Sequence, residues 1–424
     1  MSLPGAPHIA YRGGVLHVEG RSVPELARAH GTPLYVYSRS AMLEALEGYR
    51  RALAGRDHLI CYAMKANSNL AVLQTFAERG CGFDIVSGGE LLRVMAAGGE
   101  PGRVVFSGVG KTRADMLLAL QAGVFCFNVE SNDELDLLSA VATQTGRTAR
   151  ISLRVNPDVD ARTHPYISTG LKDNKFGIAH GDALATYQRA AALPGLEIVG
   201  IDCHIGSQIT ELSPYLDAVD RVLDLVEAVE ATGLRIAHLD LGGGLGITYT
   251  DERPPSPELW VSTLLQRIDA RGHGHRKILL EPGRSLVGNA GALVTGVLGM
   301  KHGREKNFCI VDAAMNDLLR PTLYDAWMAI VECTPHGVEQ VKCDVVGPIC
   351  ESGDWLGRDR PLGVAVGDHL AVLSAGAYGM SMSGNYNSRG RPAEVMVSGD
   401  EAWVIRDRET PEALYQGEHL LPRG

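Results

Sequence analysis

The chain has 424 residues, 45% of them hydrophobic, and a formal net charge of −10 at pH 7. This length predicts two domains, and the acidic balance without a lysine- or arginine-rich stripe argues against nucleic acid as a partner. No run of eighteen apolar residues occurs, and the opening MSLPGAPHIAYRGG lacks the basic and apolar regions of a signal peptide. We therefore expect neither a membrane span nor a secretory leader.

Eight cysteines are scattered along the chain without CxxC spacing, several of them inside apolar, strand-like runs. They are Cys61, Cys81, Cys126, Cys203, Cys309, Cys333, Cys343 and Cys350. Free thiols in such runs behave as small hydrophobic side chains, so the pattern predicts neither a metal site nor a disulfide framework. We expect a soluble, reduced protein of the cytoplasm.

The predicted elements begin with a hairpin, IAYRGGVLHVEG, and continue with eight short β-rich runs between residues 59 and 285. In chain order these are LICYAMK, GFDIVS, RVVFSG, FCFNVES, RISLRVNP, IVGIDCHIG, IAHLDLGGG and KILLEPGR. Segments with apolar residues three and four apart separate most of them and predict helices. One such helix follows Ser256-Pro257-Glu258 and is expected to bury Leu259, Leu264, Leu265 and Ile268.

Strands that are buried on both faces and alternate with helices predict a parallel sheet. Eight units in about 230 residues favour a (β/α)8 barrel of the TIM type, here over residues 35–285. An open doubly wound sheet is the alternative, because periodicity cannot show closure. After Arg284 the helical periodicity largely disappears and β-rich segments with Gly and Asp turns follow. We expect residues 286–424, together with residues 1–34, to form a second, mostly antiparallel β domain that completes the active site.

Chemistry in such a barrel lies at the C-terminal ends of the strands. The first run ends in Lys65, the second contains Asp84, and the last three lead into CHIGSQ (203–208), DLGGG (240–244) and EPGR (281–284). Each feature alone has an ordinary explanation: a solvated lysine, a hydrogen-bonded core histidine, a turn, a structural ion pair. GGG does not match the GxGxxG spacing of a dinucleotide loop. Because all of these features would lie at one rim of the barrel, together they favour a functional site there.

The combination predicts a phosphorylated aromatic cofactor. Glycines let backbone N–H groups approach a phosphate closely. A lysine amine can form a Schiff base with an aldehyde, and a carboxylate facing a pyridine nitrogen keeps that nitrogen protonated.

The motifs YAMKAN, CHIGSQ, LDLGGG, EPGR, GPICESGD and GAYG, in this order, resemble those of the fold type III, alanine-racemase-like pyridoxal-phosphate decarboxylases. The resemblance covers about residues 5–415. Within that family the chain looks most like the diaminopimelate decarboxylases, and THPYISTGLKDNKFG (163–177) is similar to a loop of that subfamily.

The resemblance implies a site for pyridoxal 5'-phosphate. Lys65 would hold the cofactor covalently, His204 would stack on its ring, and Glu281 would face its pyridine nitrogen. Tyr378 would lie beside it and Asp84 would support the site from its strand. The phosphate would be held by Ser207, Gly243, Gly244, Gly283 and Arg284.

The implied reaction is the decarboxylation of meso-2,6-diaminopimelate at its D-centre to L-lysine and CO2, the last step of lysine biosynthesis. Cys350 would donate the proton that replaces the carboxylate, since a thiol that ionises slightly above neutral pH can do so. Its local alternative is an inert core cysteine like Cys343, but the polar turn around Cys350 is unusual for a core thiol.

The far end of the substrate carries a second carboxylate and a second ammonium group, and leaving either unpaired in a closed site is costly. The resemblance implies that Glu351 binds the distal ammonium, whereas the ornithine-type enzymes have aspartate after the cysteine. Arg284, Arg320 and Tyr324 would bind the distal carboxylate, and Tyr378 would also contact the substrate. For Arg320 and Tyr324 a solvated helix face is the ordinary alternative. The family further implies a homodimer with shared active sites, in which the neighbour contributes the CES segment.

Other functions remain open at this stage. The same scaffold could carry a decarboxylase of ornithine, lysine, arginine or carboxynorspermidine, or an amino-acid racemase. A non-catalytic pyridoxal-phosphate carrier would resemble the barrel alone. A Schiff-base aldolase would use Lys65 without a cofactor.

Overall fold

The computed structural model describes residues 3–160 and 174–423. The chain divides into two compact units, one of residues 43–247 and 252–286, the other of residues 1–42, 248–251 and 287–424.

The strands and the helices of the described residues are given as two sets, each in chain order. The strands are β1 Ile9–Arg12, β2 Val15–Val18, β3 Arg21–Ser22, β4 Leu34–Ser38, β5 His58–Ala63, β6 Gly82–Ile85, β7 Val104–Phe106, β8 Cys126–Val129, β9 Ala149–Asn156, β10 Ile178–Ala179, β11 Leu196–Asp202, β12 His238–Asp240, β13 Lys277–Leu280, β14 Gly291–Lys301, β15 Asn307–Val311, β16 Ile330–Glu332, β17 Val341–Val346, β18 Trp355–Leu362, β19 His369–Val372, β20 Ala393–Ser398 and β21 Glu401–Arg406. The helices are α1 Val23–His30, α2 Arg39–Ala52, α3 Leu70–Ala77, α4 Gly88–Ala96, α5 Arg113–Ala122, α6 Asn132–Thr145, α7 His180–Ala192, α8 Ser213–Glu230, α9 Pro257–Ala270, α10 Arg284–Val287, α11 Arg320–Tyr324 and α12 Pro411–Leu414.

The unit that contains residues 43–247 is a closed parallel barrel. Its eight strands, β5 to β9 and β11 to β13, come one each from the eight predicted runs, and β13 pairs with β5 to close the ring. The (β/α)8 prediction is confirmed, and the open-sheet alternative is wrong. Side chains from several strands form an apolar cluster, namely Leu59, Cys61, Val105, Cys126, Val199 and Leu279. Burial on both faces explains why the runs are continuously apolar.

In helix α9 the spacing of apolar residues predicts most of the buried side chains, but not all of them. The Ser256 side chain caps it by accepting a hydrogen bond from the Leu259 N–H, as the Ser-Pro-Glu start predicts. The buried residues are Trp260, Val261, Leu264, Leu265 and Ile268. Leu259, expected to be buried, is 52% exposed. It lies on the opposite side of the helix from the stripe centred on Leu264 and Ile268.

The other unit is a mixed, mostly antiparallel β structure. Its main sheet has the order β18-β17-β15-β14-β4-β20-β21, while β19 pairs with β14 and β16. The β15–β17 and β4–β20 pairs are parallel. The predicted N-terminal hairpin is present as β1, β2 and β3, and its Ile9, Leu16 and Val18 side chains join the core of this unit. Among the described residues no helix has both the length and the apolar character to cross a membrane.

His238, at the start of β12, is a buried histidine away from the C-terminal rim. Its Nε2 would lie 2.1 Å from a Cβ atom built on Gly200, and its ring centroid lies 5.4 Å from that of Phe125. Burial, followed by the charges of Arg150 and Lys277, lowers the pKa of His238 to about 3. The ring is therefore neutral in the folded chain at neutral pH.

Replacing His238 by leucine should weaken the acid sensitivity of the fold. Below about pH 6.5 His238 binds a proton in the unfolded chain but not in the folded chain. The free energy of unfolding therefore decreases as the pH falls toward 3. One such group contributes about 1.4 kcal/mol per pH unit to that loss. Denaturant unfolding between pH 7 and pH 4 measures the slope. If the free energy of unfolding of the variant depended on pH as steeply as that of the wild type, His238 would not be a buried neutral residue that contributes to acid sensitivity.

Candidate active site

Lys65 lies immediately after β5, in a single turn of Met64–Ala66. Its Nζ donates a hydrogen bond to Oδ2 of Asp84, near the end of β6, at 2.8 Å. The Asp84 carboxylate is fully buried, whereas the Lys65 side chain is 40% exposed. The carboxylate therefore orients an amine that solutes can still reach, as a covalent catalytic amine requires.

Three further buried carboxyls end neighbouring strands. Asp202 and Asp240 are register partners at the ends of β11 and β12, and Glu281 follows β13. Oxygens of the three side chains lie within 4.8 Å of one another. Burial, and then the charges of Asp240, Asp84 and Asp202, raise the pKa of Glu281 well above its ordinary value. Glu281 was predicted from the sequence motifs, whereas Asp202 and Asp240 were not, although an acid at the end of an apolar strand was the available signal.

His204 follows β11 and is neutral at the rim. Burial, then Arg154 and Lys65, lower its pKa well below the ordinary value. Its Nδ1 lies 3.3 Å from the backbone nitrogen of Gly243 and accepts that N–H. The ring proton therefore belongs on Nε2. A neutral, flat ring in this position can stack on an aromatic cofactor.

The glycine turn after β12 fits closely against two other rim turns. A Cβ atom on Gly244 (φ +94°) would lie 2.3 Å from the carbonyl oxygen of Gly206, and one on Gly243 would lie 2.2 Å from that of Glu281. Next to them, Arg284 donates to the Ser207 hydroxyl from two nitrogens, at 3.0 and 3.2 Å. Only glycine lets the backbone come this close, which is the property of a phosphate cradle.

Replacing Gly244 by alanine should damage the cradle. The Cβ atom would meet the Gly206 carbonyl oxygen in a left-handed backbone conformation, at a cost of about 2–4 kcal/mol. We expect a lower denaturation midpoint and weaker retention of pyridoxal phosphate, measured by unfolding and equilibrium dialysis. The matched control is Gly181→Ala in α7, where a Cβ atom meets nothing within 4 Å. Equal effects of the two substitutions would contradict the role of the turn.

Cys350 differs from the other cysteines because its residue is exposed, whereas the other seven are buried. Its backbone N–H donates to Oδ1 of Asn387 at 2.8 Å. Asp354 holds the same loop by accepting the N–H groups of Ile349 at 2.8 Å and Met315 at 2.7 Å. Glu351 is also exposed. Asp354 and Asn387 thus support this loop, and neither was predicted from the sequence motifs.

Arg320 begins α11 and is buried beside two tyrosine rings. Its guanidinium carbon lies 5.2 Å from the Tyr249 ring centroid and 5.5 Å from that of Tyr324. The solvated helix face that served as the ordinary alternative is therefore wrong for Arg320, which is 6% exposed. Tyr378 has a left-handed backbone (φ 55°), followed by Gly379, where a Cβ atom would lie 2.6 Å from the Tyr35 hydroxyl oxygen.

Direct contacts thus connect most of the barrel residues that the sequence singles out: Lys65 with Asp84, His204 with Gly243, Gly243 with Glu281, and Ser207 with Arg284. Gly283 approaches the first strand, with a Cβ position 3.1 Å from the Ala63 carbonyl oxygen. Cys350, Glu351, Arg320, Tyr324 and Tyr378 belong to the other unit. Most of the quoted loop 163–177, namely residues 163–173, lies outside the described residues.

The chain is similar in sequence and in fold to proteins of known family. Residues 39–288 match the family described as "Pyridoxal-dependent decarboxylase, pyridoxal binding domain". The diaminopimelate decarboxylase of Pseudomonas aeruginosa is 56% identical over 414 residues, which cover 98% of this chain and 99% of the relative. The chain belongs to the diaminopimelate decarboxylase family.

Other members of this family show the same similarity. The Neisseria meningitidis serogroup A diaminopimelate decarboxylase is 57% identical, covering 92% of this chain and 95% of the relative. The Helicobacter pylori diaminopimelate decarboxylase complexed with L-lysine has a TM-score of 0.89 at 43% identity, covering 93% and 98% of the two chains. The M. jannaschii diaminopimelate decarboxylase in co-complex with L-lysine reaches 0.94 at 37% identity, covering 100% and 99%.

The family is pyridoxal-dependent, and the rim residues fit that cofactor. The exposed Lys65 amine suits an aldehyde, and the neutral His204 ring suits an aromatic face. The glycine turn beside Ser207 and Arg284 suits a phosphate, and the buried Glu281 suits a ring nitrogen. Asp84 Oδ1 and Asp240 Oδ2 are buried without a hydrogen-bond partner among the described residues.

Proposed function

We propose that the chain decarboxylates meso-2,6-diaminopimelate at its D-centre and releases L-lysine and CO2, the last step of lysine biosynthesis. The observation that carries this proposal is the Lys65–Asp84 pair at the same rim as Glu281 and the Gly242–Gly244 turn. The relatives named diaminopimelate decarboxylase support the substrate, and L-lysine, held in two of the related structures, is the product of this reaction.

The barrel residues would bind and activate the cofactor. Lys65 would hold its aldehyde, with Asp84 orienting the amine, and His204 would lie against its ring. Glu281 would accept the N–H of the pyridine nitrogen and so keep that nitrogen protonated. When bound, pyridoxal phosphate supplies an electron sink for the pair left on the α-carbon as CO2 departs. Ser207, Gly243, Gly244, Gly283 and Arg284 would hold the phosphate.

The other unit would complete the site with the proton donor and the groups that select the substrate. The Cys350 thiol would donate its proton to the α-carbon, forming the C–H bond that replaces the broken C–C bond. Glu351 would pair with the distal ammonium. Arginine pairs bidentately with carboxylates, which favours Arg320 of this unit and Arg284 of the barrel, aided by Tyr324, for the distal carboxylate. Tyr378 would contact the substrate beside the cofactor.

Borohydride reduction combined with a substrate panel tests this function. The purified chain, loaded with pyridoxal phosphate, should carry the reduced label on Lys65 after peptide mapping. It should release CO2 and L-lysine from meso-diaminopimelate much faster than it releases CO2 from ornithine, lysine, arginine or carboxynorspermidine. A label on another lysine would overturn the cofactor assignment. Faster turnover of another amino acid would reassign the substrate, and no CO2 from any of them would favour a carrier or a racemase.

We further propose a homodimer with shared active sites, acting in the cytoplasm. The family resemblance supports the dimer, and eight free thiols support a reducing compartment. Mixing inactive Lys65→Ala and Cys350→Ala chains should restore up to a quarter of the wild-type activity, because subunit exchange creates one site with both residues intact in each mixed dimer. Full activity in a demonstrably monomeric dilution would contradict the dimer, as would failure of the mixture to recover activity after proven subunit exchange.

A further inference from the structure

Asp240 is a buried residue, and only one of its two carboxylate oxygens accepts a hydrogen bond from the described residues. Oδ1 accepts the backbone N–H of Gly242 at 3.0 Å. Oδ2 is buried and has no hydrogen-bond partner among the described residues. The residue is 0% exposed, so bulk water does not reach the orphaned atom. A buried carboxylate oxygen left without a donor is costly.

The neighbouring polar group is itself a carboxyl. Oxygens of Asp240 and Glu281 lie within 4.8 Å of each other. Two carboxylates cannot satisfy each other, because neither has a hydrogen to donate. One proton between them supplies the missing donor and removes the like-charge repulsion.

We propose that Asp240 is a positioning residue that retains a proton at neutral pH and donates it in a hydrogen bond to Glu281, so that Glu281 alone faces the cofactor's pyridine nitrogen as a carboxylate. This inference rests on the proposed function, in which Glu281 keeps that nitrogen protonated. Without a cofactor the higher pKa of Glu281 places this proton on Glu281. A positively charged pyridine nitrogen facing Glu281 favours the carboxylate form of that residue and moves the proton to Asp240. The pair keeps one negative charge, which matches the one positive charge of a protonated pyridine.

The surrounding charges favour a protonated pair. Five acidic groups lie at or next to the ends of five strands: the pair Asp240 and Glu281, and around it Asp84, Glu130 and Asp202. Two cations of the described residues face these acids: Arg154, which lies 3.1 Å from Glu130 and 3.9 Å from Asp202, and Lys65, which is paired with Asp84. The acids therefore outnumber the cations. Burial, with Asp84 nearby, raises the pKa of Asp240 to about 7, in agreement with this excess of negative charge.

Asn128 provides a second donor to Glu281. Its Nδ2 lies 3.3 Å from Glu281 Oε1 and 3.1 Å from the Ser107 hydroxyl, and the residue is fully buried. Donors to Glu281 lower the proton affinity of its carboxylate. In the competition for one proton between Glu281 and the pyridine nitrogen, Asp240 and Asn128 thus both favour the nitrogen.

The ring-nitrogen chemical shift of bound 15N-labelled pyridoxal phosphate, followed from pH 6 to pH 10, measures this competition directly. In the wild type the nitrogen should lose its proton as Asp240 ionises. Asp240→Asn keeps a permanent donor of the same shape, so its midpoint should rise by about one pH unit or more. Asp240→Leu removes the donor, so its nitrogen should be largely unprotonated already at neutral pH. If Asp240→Leu does not fold, the Asp240→Asn midpoint decides.

Asp202→Asn is the matched control. It makes the same change in Asp202, which is the register partner of Asp240 and lies 3.9 Å from Arg154. It removes one neighbouring negative charge and leaves Asp240 able to ionise, so its midpoint should not rise above that of the wild type. An unchanged midpoint in Asp240→Asn, or an equal shift in Asp202→Asn, would overturn the inference while leaving the proposed function intact. If the wild-type cofactor is not bound at Lys65 or its nitrogen is never protonated, the proposed function fails instead.

Discussion

The Lys65→Ala chain is expected to lose turnover by about 10⁴-fold or more, together with the absorbance band of lysine-bound cofactor. The Lys65 amine can bond to an aldehyde; its side chain is 40% exposed, and Asp84 orients the amine at 2.8 Å. Steady-state assays with meso-diaminopimelate, the absorbance spectrum, and borohydride labelling measure the loss.

Lys65→Arg separates the covalent role of this amine from its charge. Arginine keeps a positive charge opposite the buried Asp84 carboxylate but cannot lose a proton to become a nucleophile. We therefore expect near-wild-type stability with turnover as low as in Lys65→Ala. If Lys65→Arg retained substantial turnover, Lys65 would serve only as the ion-pair partner of Asp84.

The Cys350→Ala chain should bind pyridoxal phosphate with an unchanged spectrum and yet turn over about 10²–10⁴-fold more slowly. The substitution would remove the proposed acid, whereas the barrel residues proposed to hold the cofactor belong to the other unit and would be untouched. Cofactor titration and the rate of L-lysine formation measure the two effects separately. Wild-type turnover in the variant would rule out Cys350 as the proton donor.

Cys343→Ala is the matched control, because Cys343 is a buried cysteine of the same unit. It should lose some stability but keep its turnover. Alkylation adds a second check: a charged thiol reagent should modify the exposed Cys350 first and inactivate the wild type in proportion. Inactivation of the Cys350→Ala chain at the same rate would assign the reactive thiol elsewhere.

The barrel was predictable because the relevant signal is local. A parallel strand buried on both faces needs an uninterrupted apolar run, as in Leu59 to Ala63, and a helix between strands needs apolar residues three and four apart. The Ser256 cap was predictable for the same reason. Leu259 was mispredicted because its side of the helix depends on the neighbouring stripe, not on its own hydrophobicity.

The sequence by itself determined the order of the strands and which polar residues, among them Lys65, His204 and Glu281, stand at their ends. Only the tertiary structure decided which of those residues meet. Asp202 and Asp240 are 38 positions apart and become neighbours through the register of β11 on β12. Tertiary structure also determines solvent exposure: Cys350 is exposed and Asp240 is buried. Register and burial depend on which strands pair across the closed ring, and no local pattern of residues carries that information.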